Sequence, residues 1–359
     1  MRNAPIAVLM AILTVGIAAF STSSVESPTH ANAAVASSQS QDRRFVDVSL
    51  DTAFVLGSLN DRILVDPIRI AAHGEVAYAF DNGDHALKAF DSKGSFAWSY
   101  GRQGAGPSEF RRVRDISTGT SGSILLVDQT NSRLTVLEAN GSLASETRLQ
   151  ALDGSPEQVI QIAPDRFVVW ALALKEPIVL LSRDGTIIER TDPPFRIARD
   201  IPYLGSQAQL ANDPARPDQW VHGFIFADGW GVLTSLERTS PEQGYIESVP
   251  LPEVHFEDRG RGGFSARMGH VVPSARSISV FGDTAFVLFV GQTGQRGRLV
   301  DMYRLSTGSY EGSLLLPVVA SDLAVTRERL VVLARESVPQ VISYRYRFHS
   351  GTGRQAPDR

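Results

Sequence analysis

Six short stretches of the chain set a polar or charged residue directly before an aliphatic or aromatic one: DPIRIAA, VRDISTG, VIQIAPD, VHGFIFA, ARSISVF and SDLAVTR. Aligned on Ile70, Ile116, Ile162, Phe224, Ile278 and Leu323, the preceding positions hold Arg69, Asp115, Gln161, Gly223, Ser277 and Asp322. One position earlier stand Ile68, Arg114, Ile160, His222, Arg276 and Ser321. Unpaired charges are costly to bury, so a recurring polar position in front of an apolar run marks a wet edge of the core. Arg69, Asp115, Gln161, His222, Arg276 and Asp322 form the candidate ligand-binding set, suited to a small molecule or a peptide. Asp115, Asp322 and Gln161 also offer oxygens of the kind that a hard divalent cation wants, and such an ion could polarise a carbonyl. Arg69 and Arg276 compete with a cation there and no ring glutamate appears. No metal ligands and no cofactor are therefore assigned.

A second basic group lies in EDRGRGGFSARMGHVVPSAR (257–276), where Arg259, Arg261 and Arg267 precede Arg276 among glycines. A mobile basic loop of this kind binds anionic groups, and the same composition also suits a solvated surface loop. Other chemistries find no residues. The chain has no cysteine, which excludes thiol catalysis, cysteine zinc sites and disulfides. The seven histidines show no H-x-x-x-H pair, and His255 and His270 stand fifteen apart. No G-x-S-x-G elbow is present. Asn140-Gly141-Ser142 fits a glycosylation triplet but sits in a turn. A net charge of −4 and a pI near 6.0 speak against nucleic acid as a partner.

The elements that carry these residues are short. From Phe45 onward, runs of Val, Ile, Leu and Phe alternate with Gly, Asp, Asn and Ser, as strands and turns do. The runs repeat. EVAYAFDNGDHALKAFDSKGSFAWSYG (75–101), SILLVDQTNSRLTVLEANGSLASETRL (123–149) and RFVVWALALKEPIVLLSRDGTIIERTD (166–192) share one order of strand, turn, strand, glycine turn, strand. Gly94, Gly141 and Gly185 are 47 and 44 residues apart, and copies follow at 230–251, 282–316 and 329–348. Six units of this length predict an all-β, six-bladed β-propeller of four-stranded antiparallel blades. The polar stretches above are its inner strands. The strand RRFVDVSL (43–50) has no partner of its own and is expected to complete the last blade. Two long connections, 193–219 with a short helix around 205–212 and 252–274, precede inner strands and so belong to the face of the channel mouth.

Between the first two copies lies GRQGAGPSEF (101–110). Read through to Val127, Asp128, Asn131 and Arg133, this unit resembles the NHL repeat and related six-bladed propellers of exported bacterial proteins. Gly101, Gly104, Gly106, Pro107 and Phe110 match the G-x-x-G-x-G-P-x-x-F linker of that pattern. Here Phe110 is expected to anchor the linker between blades, with Asp128, Asn131 and Arg133 bonded within the hairpin turn. A phosphate-cradling loop is excluded, because no G-K-[ST] follows.

The N-terminus reads MRNAPIAVLMAILTVGIAAF, with one basic residue, an apolar run and then small residues, as in a secretory signal. The expected organisation is a signal and processing region at 1–36, a linker at 37–44, a propeller at 45–349 and a frayed tail at 350–359. With such a leader, a periplasmic or secreted monomer with no membrane association after processing is expected. Its expected role is non-enzymatic binding of a protein, peptide or glycan on the loop-bearing face. The alternative is a metal-assisted lactonase or lyase acting in the channel.

Overall fold

The computed structural model describes residues 42–349 apart from 58–62, 153, 173–175, 193–206, 261–262, 293 and 336–337. The expected signal region, residues 37–41 of the linker and the tail lie outside them. The first strand, β1 (Val48–Leu56), does not start the first sheet. Blade one consists of β2 (Pro67–His73), β3 (Val76–Asp81), β4 (Ala86–Phe90) and β5 (Phe96–Tyr100). Blade two consists of β6 (Val113–Thr118), β7 (Ile124–Asp128), β8 (Arg133–Leu137) and β9 (Leu143–Arg148). Blade three holds β10 (Ser155–Ala163), β11 (Arg166–Leu172), β12 (Ile178–Ser182) and β13 (Ile187–Thr191). Blade four holds β14 (Ala208–Asn212), β15 (Gln219–Phe224), β16 (Trp230–Thr234) and β17 (Glu237–Arg238). A separate hairpin, β18 (Val254–Gly260) and β19 (Gly263–Met268), comes next. Blade five is β20 (Ala275–Phe281), β21 (Thr284–Phe289), β22 (Leu299–Arg304) and β23 (Tyr310–Leu315). Blade six joins β24 (Ala320–Val325), β25 (Leu330–Arg335) and β26 (Pro339–Phe348) to β1. The protein is a six-bladed β-propeller of antiparallel four-stranded sheets.

The alternation of side chains explains why the middle strands are apolar throughout. Successive residues of a strand point to opposite faces of its sheet. Ile124 and Leu126 of β7 pack towards blade one, whereas Leu125 and Val127 pack towards blade three. Both faces of the blade are covered, so both sets must be apolar. The core consists of seams between neighbouring blades, and the seam between blades six and one, around Phe54, Ile70, Ala324 and Leu333, closes the circle.

The linker Gly101–Phe110 fills the outer end of the seam between blades one and two. Phe110 is fully buried and meets Phe80 edge-on, with ring centres 5.5 Å apart. Gly101 has φ 105°, and the Phe110 ring lies 2.5 Å from where a Cβ would stand, so only glycine fits. Asp128 accepts the amides of Arg111, Arg112 and Asn131. Asn131 donates to the carbonyls of Gly104 and Glu109, and Arg133 to those of Gly106 and Glu109. These side chains therefore reach beyond their own turn and hold the preceding linker.

Two expectations are corrected. The closing strand is Val48–Leu56, not 43–50. The chain before it crosses to blade five, where Val46 N–H donates to the Ser313 carbonyl and Ser313 N–H to that of Arg44. In blade four the inner strand is β14, which includes most of the segment expected as a short helix, while VHGFIFA supplies the second strand, β15.

Candidate functional site at the channel mouth

Each inner strand runs from the end next to its polar residue towards the opposite face of the ring. In five of the six, all but β14, the pairing with the second strand slips by one residue near the start. The slip falls between Pro67 and Arg69, Val113 and Asp115, Pro156 and Gln158, Ala275 and Ser277, and Ala320 and Asp322. A bulge of this kind leaves one residue unpaired and re-aims its neighbours. Ile68, Arg114, Glu157, Arg276 and Ser321 occupy the unpaired position. Arg69, Asp115, Gln158, Ser277 and Asp322 follow it.

The residues after the bulge solve a problem that the ring creates. The inner edge of each innermost strand carries amides with no further strand to pair with, and such an edge must be satisfied or hydrated. Five of the six blades lend a side chain to the next. Asp322 accepts Ile70 N–H of blade one at 3.0 Å. Arg69 donates to the Arg114 carbonyl of blade two at 2.6 Å. Asp115 accepts Val159 N–H of blade three at 3.1 Å, and Gln158 accepts Leu210 N–H of blade four at 2.7 Å. Ser277 of blade five accepts Leu323 N–H at 3.3 Å and donates to Asp322 at 2.7 Å. This belt passes five of the six seams among the described residues. The seam between blades four and five is joined differently, by the Ser274 hydroxyl donating to the carbonyls of Phe224 and Ala227.

The belt surrounds a cavity of about 320 Å³ lined at its mouth by Arg69, Asp115, Arg276 and Asp322 and deeper by Ser117, Thr118, Ser279 and Asn212. Four of the six sequence-derived residues thus share one site. The other two do not. Gln161 lies three residues beyond the mouth position, where its side-chain oxygen accepts Thr120 N–H at 2.8 Å and the Ser123 hydroxyl at 3.2 Å. Gln158 takes its place in the ring. His222 is on β15, fully buried, with its ring edge-on to Phe224 at 5.0 Å. A ring glutamate does exist: Glu157 pairs with Arg114 at 2.6 Å across blades two and three. Arg335, at the end of β25, is a further mouth residue, bonded to the Pro67 carbonyl at 3.1 Å and facing Asp66 at 3.6 Å. Reading the last residue of each second strand as a mouth position would have found it.

The electrostatics of the mouth are uneven. Burial raises Asp115 to about 6, the nearby Asp322 charge adds to this, and the Val159 amide and Arg69 oppose it. Burial also raises Glu157 against the pull of Arg114. Arg276 is held below the ordinary guanidinium value by burial and by repulsion from Arg335 and Arg69, with Asp322 opposing. The carboxylates are engaged by amides, by Ser277 or by Arg114. Arg69 donates only to backbone carbonyls. Arg276 is crowded on one side but keeps part of its surface open to solvent and, among the described residues, has no carboxylate within ion-pairing distance. No group of three or more His, Cys, Asp or Glu that could hold a metal ion occurs among the described residues.

The basic insertion is a hairpin, not a glycine loop. Arg259 lies in β18, and Arg267 in β19 is exposed and pairs with Glu257 at 3.6 Å. Arg261 lies outside the described residues.

Residues 26–173 match the family model DUF5128, described as a 6-bladed beta-propeller. No curated protein matches the chain. Among solved structures, the fold is similar to that of a Bacteroides fragilis protein provisionally described as exported, at 10% identity and a TM-score of 0.52, over 89% of this chain and 98% of the other. It is also similar to a member of the duf4221 family from Bacteroides vulgatus, at 12% identity and a TM-score of 0.52, over 84% and 99%. A third similar fold is the β-propeller domain of Cps50 (Swd1) from Myceliophteria thermophila, at 9% identity and a TM-score of 0.50, over 83% and 99%. At these identities the likeness concerns the fold alone. Among the described residues no helix is long and apolar enough to cross a membrane.

Proposed function

We propose that this chain is an exported binding propeller that receives a protein, peptide or glycan on the face of the channel mouth, and that it acts without catalysing a reaction. One observation carries the reading. The unpaired charge at the mouth is a donor: Arg276 is open to solvent on one side and has no ion-pair partner among the described residues, while Asp115 and Asp322 each already accept a backbone amide. Guanidinium groups recognise carboxylate and sulfate oxygens through paired, charge-assisted hydrogen bonds. The β18–β19 hairpin enters the chain just before the strand that carries Arg276, so it stands on the same face. Export is supported by the leader-like residues 1–36 and by the similar fold of a protein provisionally described as exported.

The test is a screen of peptide and glycan arrays with the full chain and with Arg276→Gln. Ligands that bind the first and are lost by the second support the reading. An array pattern unchanged by the substitution rejects it. Mass analysis of the protein recovered from the periplasm or medium tests export, with a shortened N-terminus as the expected result.

A further inference from the structure

The identity of the missing acceptor follows from what surrounds Arg276, granted the binding reading above. Asp322 of blade six stands within electrostatic range of it and of Asp115 of blade two, which lines the same cavity. Each spends oxygen lone pairs on backbone amides and keeps others. A carboxylate that faces a cavity and still accepts hydrogen bonds is a partner for hydroxyl groups. Below this level the walls are mixed: aliphatic side chains such as Ile116 and Ile278 alternate with polar ones, and Asp213, Arg327 and Glu328 also line the cavity. Ser117, Thr118, Ser279 and Asn212 line them, with hydroxyls and an amide. The cavity of about 320 Å³ falls at the small end of ligand pockets and suits a single ring with its substituents. An acidic side chain of a peptide would use the arginines and leave the carboxylates and hydroxyls idle. A phosphate group would bring a second negative charge beside Asp115 and Asp322.

We infer that the mouth is a sugar-acid site. Arg276 holds the carboxylate of a uronic acid residue, Arg69 and Arg335 reinforce the field on it, and Asp115 and Asp322 accept the hydroxyls of the same ring. The residue can be a free monosaccharide or one end of an acidic glycan.

The experiment is a calorimetric titration of the full chain with D-glucuronate, D-glucose, acetate and an oligoglucuronide in low salt. Saturable binding of glucuronate, at least tenfold tighter than glucose and than acetate, is the expected result. Arg276→Gln weakens it at least tenfold and Asp322→Asn by a smaller factor, while thermal melts confirm that both variants fold. A tighter oligoglucuronide than glucuronate identifies the polymer as the source, and equal affinities identify the monosaccharide; either supports the site. Glucose binding as well as glucuronate, or acetate doing so, overturns the proposal. Binding of glutamate-containing peptides through Arg276 without glucuronate binding overturns the sugar-acid assignment and leaves the binding propeller standing. Loss of neither kind of ligand in Arg276→Gln removes both.

Discussion

Arg43 and Asp301 lie 258 residues apart in the chain and meet in a two-pronged pair, with Nε to Oδ1 at 3.0 Å and one terminal nitrogen to Oδ2 at 2.9 Å. Asp301 is fully buried in β22, and Arg43 lies over the Phe289 ring at 4.8 Å and also reaches Glu247 at 2.7 Å. The pair fastens the chain just before β1 to blade five.

Arg43→Ala strands a buried carboxylate, and removing one partner of a buried pair costs about 3–5 kcal/mol. The double variant Arg43→Met, Asp301→Leu removes both charges and is expected to lose less than Arg43→Ala alone. Urea unfolding curves of the three proteins decide this. A single substitution no worse than the double contradicts the role given to the pair.

Asp115 makes the mouth prefer mild acid. Its carboxyl titrates at about 6 in the folded chain and at about 4 unfolded. The native state takes up a proton that the unfolded state does not, so stability falls as pH rises through this window and is level above it. Asp115→Asn keeps an oxygen for the Val159 amide and removes the charge. The variant is expected to be more stable than the parent at pH 8 by about 1 kcal/mol, the part of the shift that survives solvent at a half-buried site, and equal to it at pH 4. Thermal melts across this range test the sign.

His222 acts in the opposite direction. Burial lowers it to about 3 from the ordinary 6.5. The unfolded chain binds a proton from pH 6.5 downward while the native chain stays neutral until about 3, so stability present above 6.5 is lost as pH falls. Replacing it by phenylalanine, next to Phe224, is expected to flatten the acid limb of the stability profile between pH 6 and 4. An unchanged slope in the variant would place the acid sensitivity elsewhere.

The sequence shows the ring and much of its mouth because the repeat is written in turn glycines and in apolar runs. Phe110 and its glycines are legible for the same reason, since the close approach of Gly101 to that ring admits no other residue. Blade four is not legible. Its inner strand, AQLAN, is short and carries two alanines, whereas the neighbouring VHGFIF is the more apolar run and draws the alignment to itself. His222 was promoted to the mouth by that displacement. Gln161 was promoted by the length of β10, nine residues with two equivalent-looking Gln positions, Gln158 and Gln161. The bulge that settles the register there is a backbone event with no residue signature, and it alone brings Glu157 and Gln158 to the rim. Arg335 escaped because it ends a second strand, and its nearness to Pro67 exists only once the circle is shut.

Because β1 pairs with β26, the first strand of the ring to be synthesised waits for the last. Until Pro339–Phe348 has emerged, Val48–Leu56 has an open edge, and the seam holding Phe54, Ile70 and Leu333 lacks one wall. An unpaired strand edge is a template for the wrong partner. The growing chain therefore carries this hazard from its beginning almost to its end, and maturation of the ring is a single late event that no partial product can anticipate.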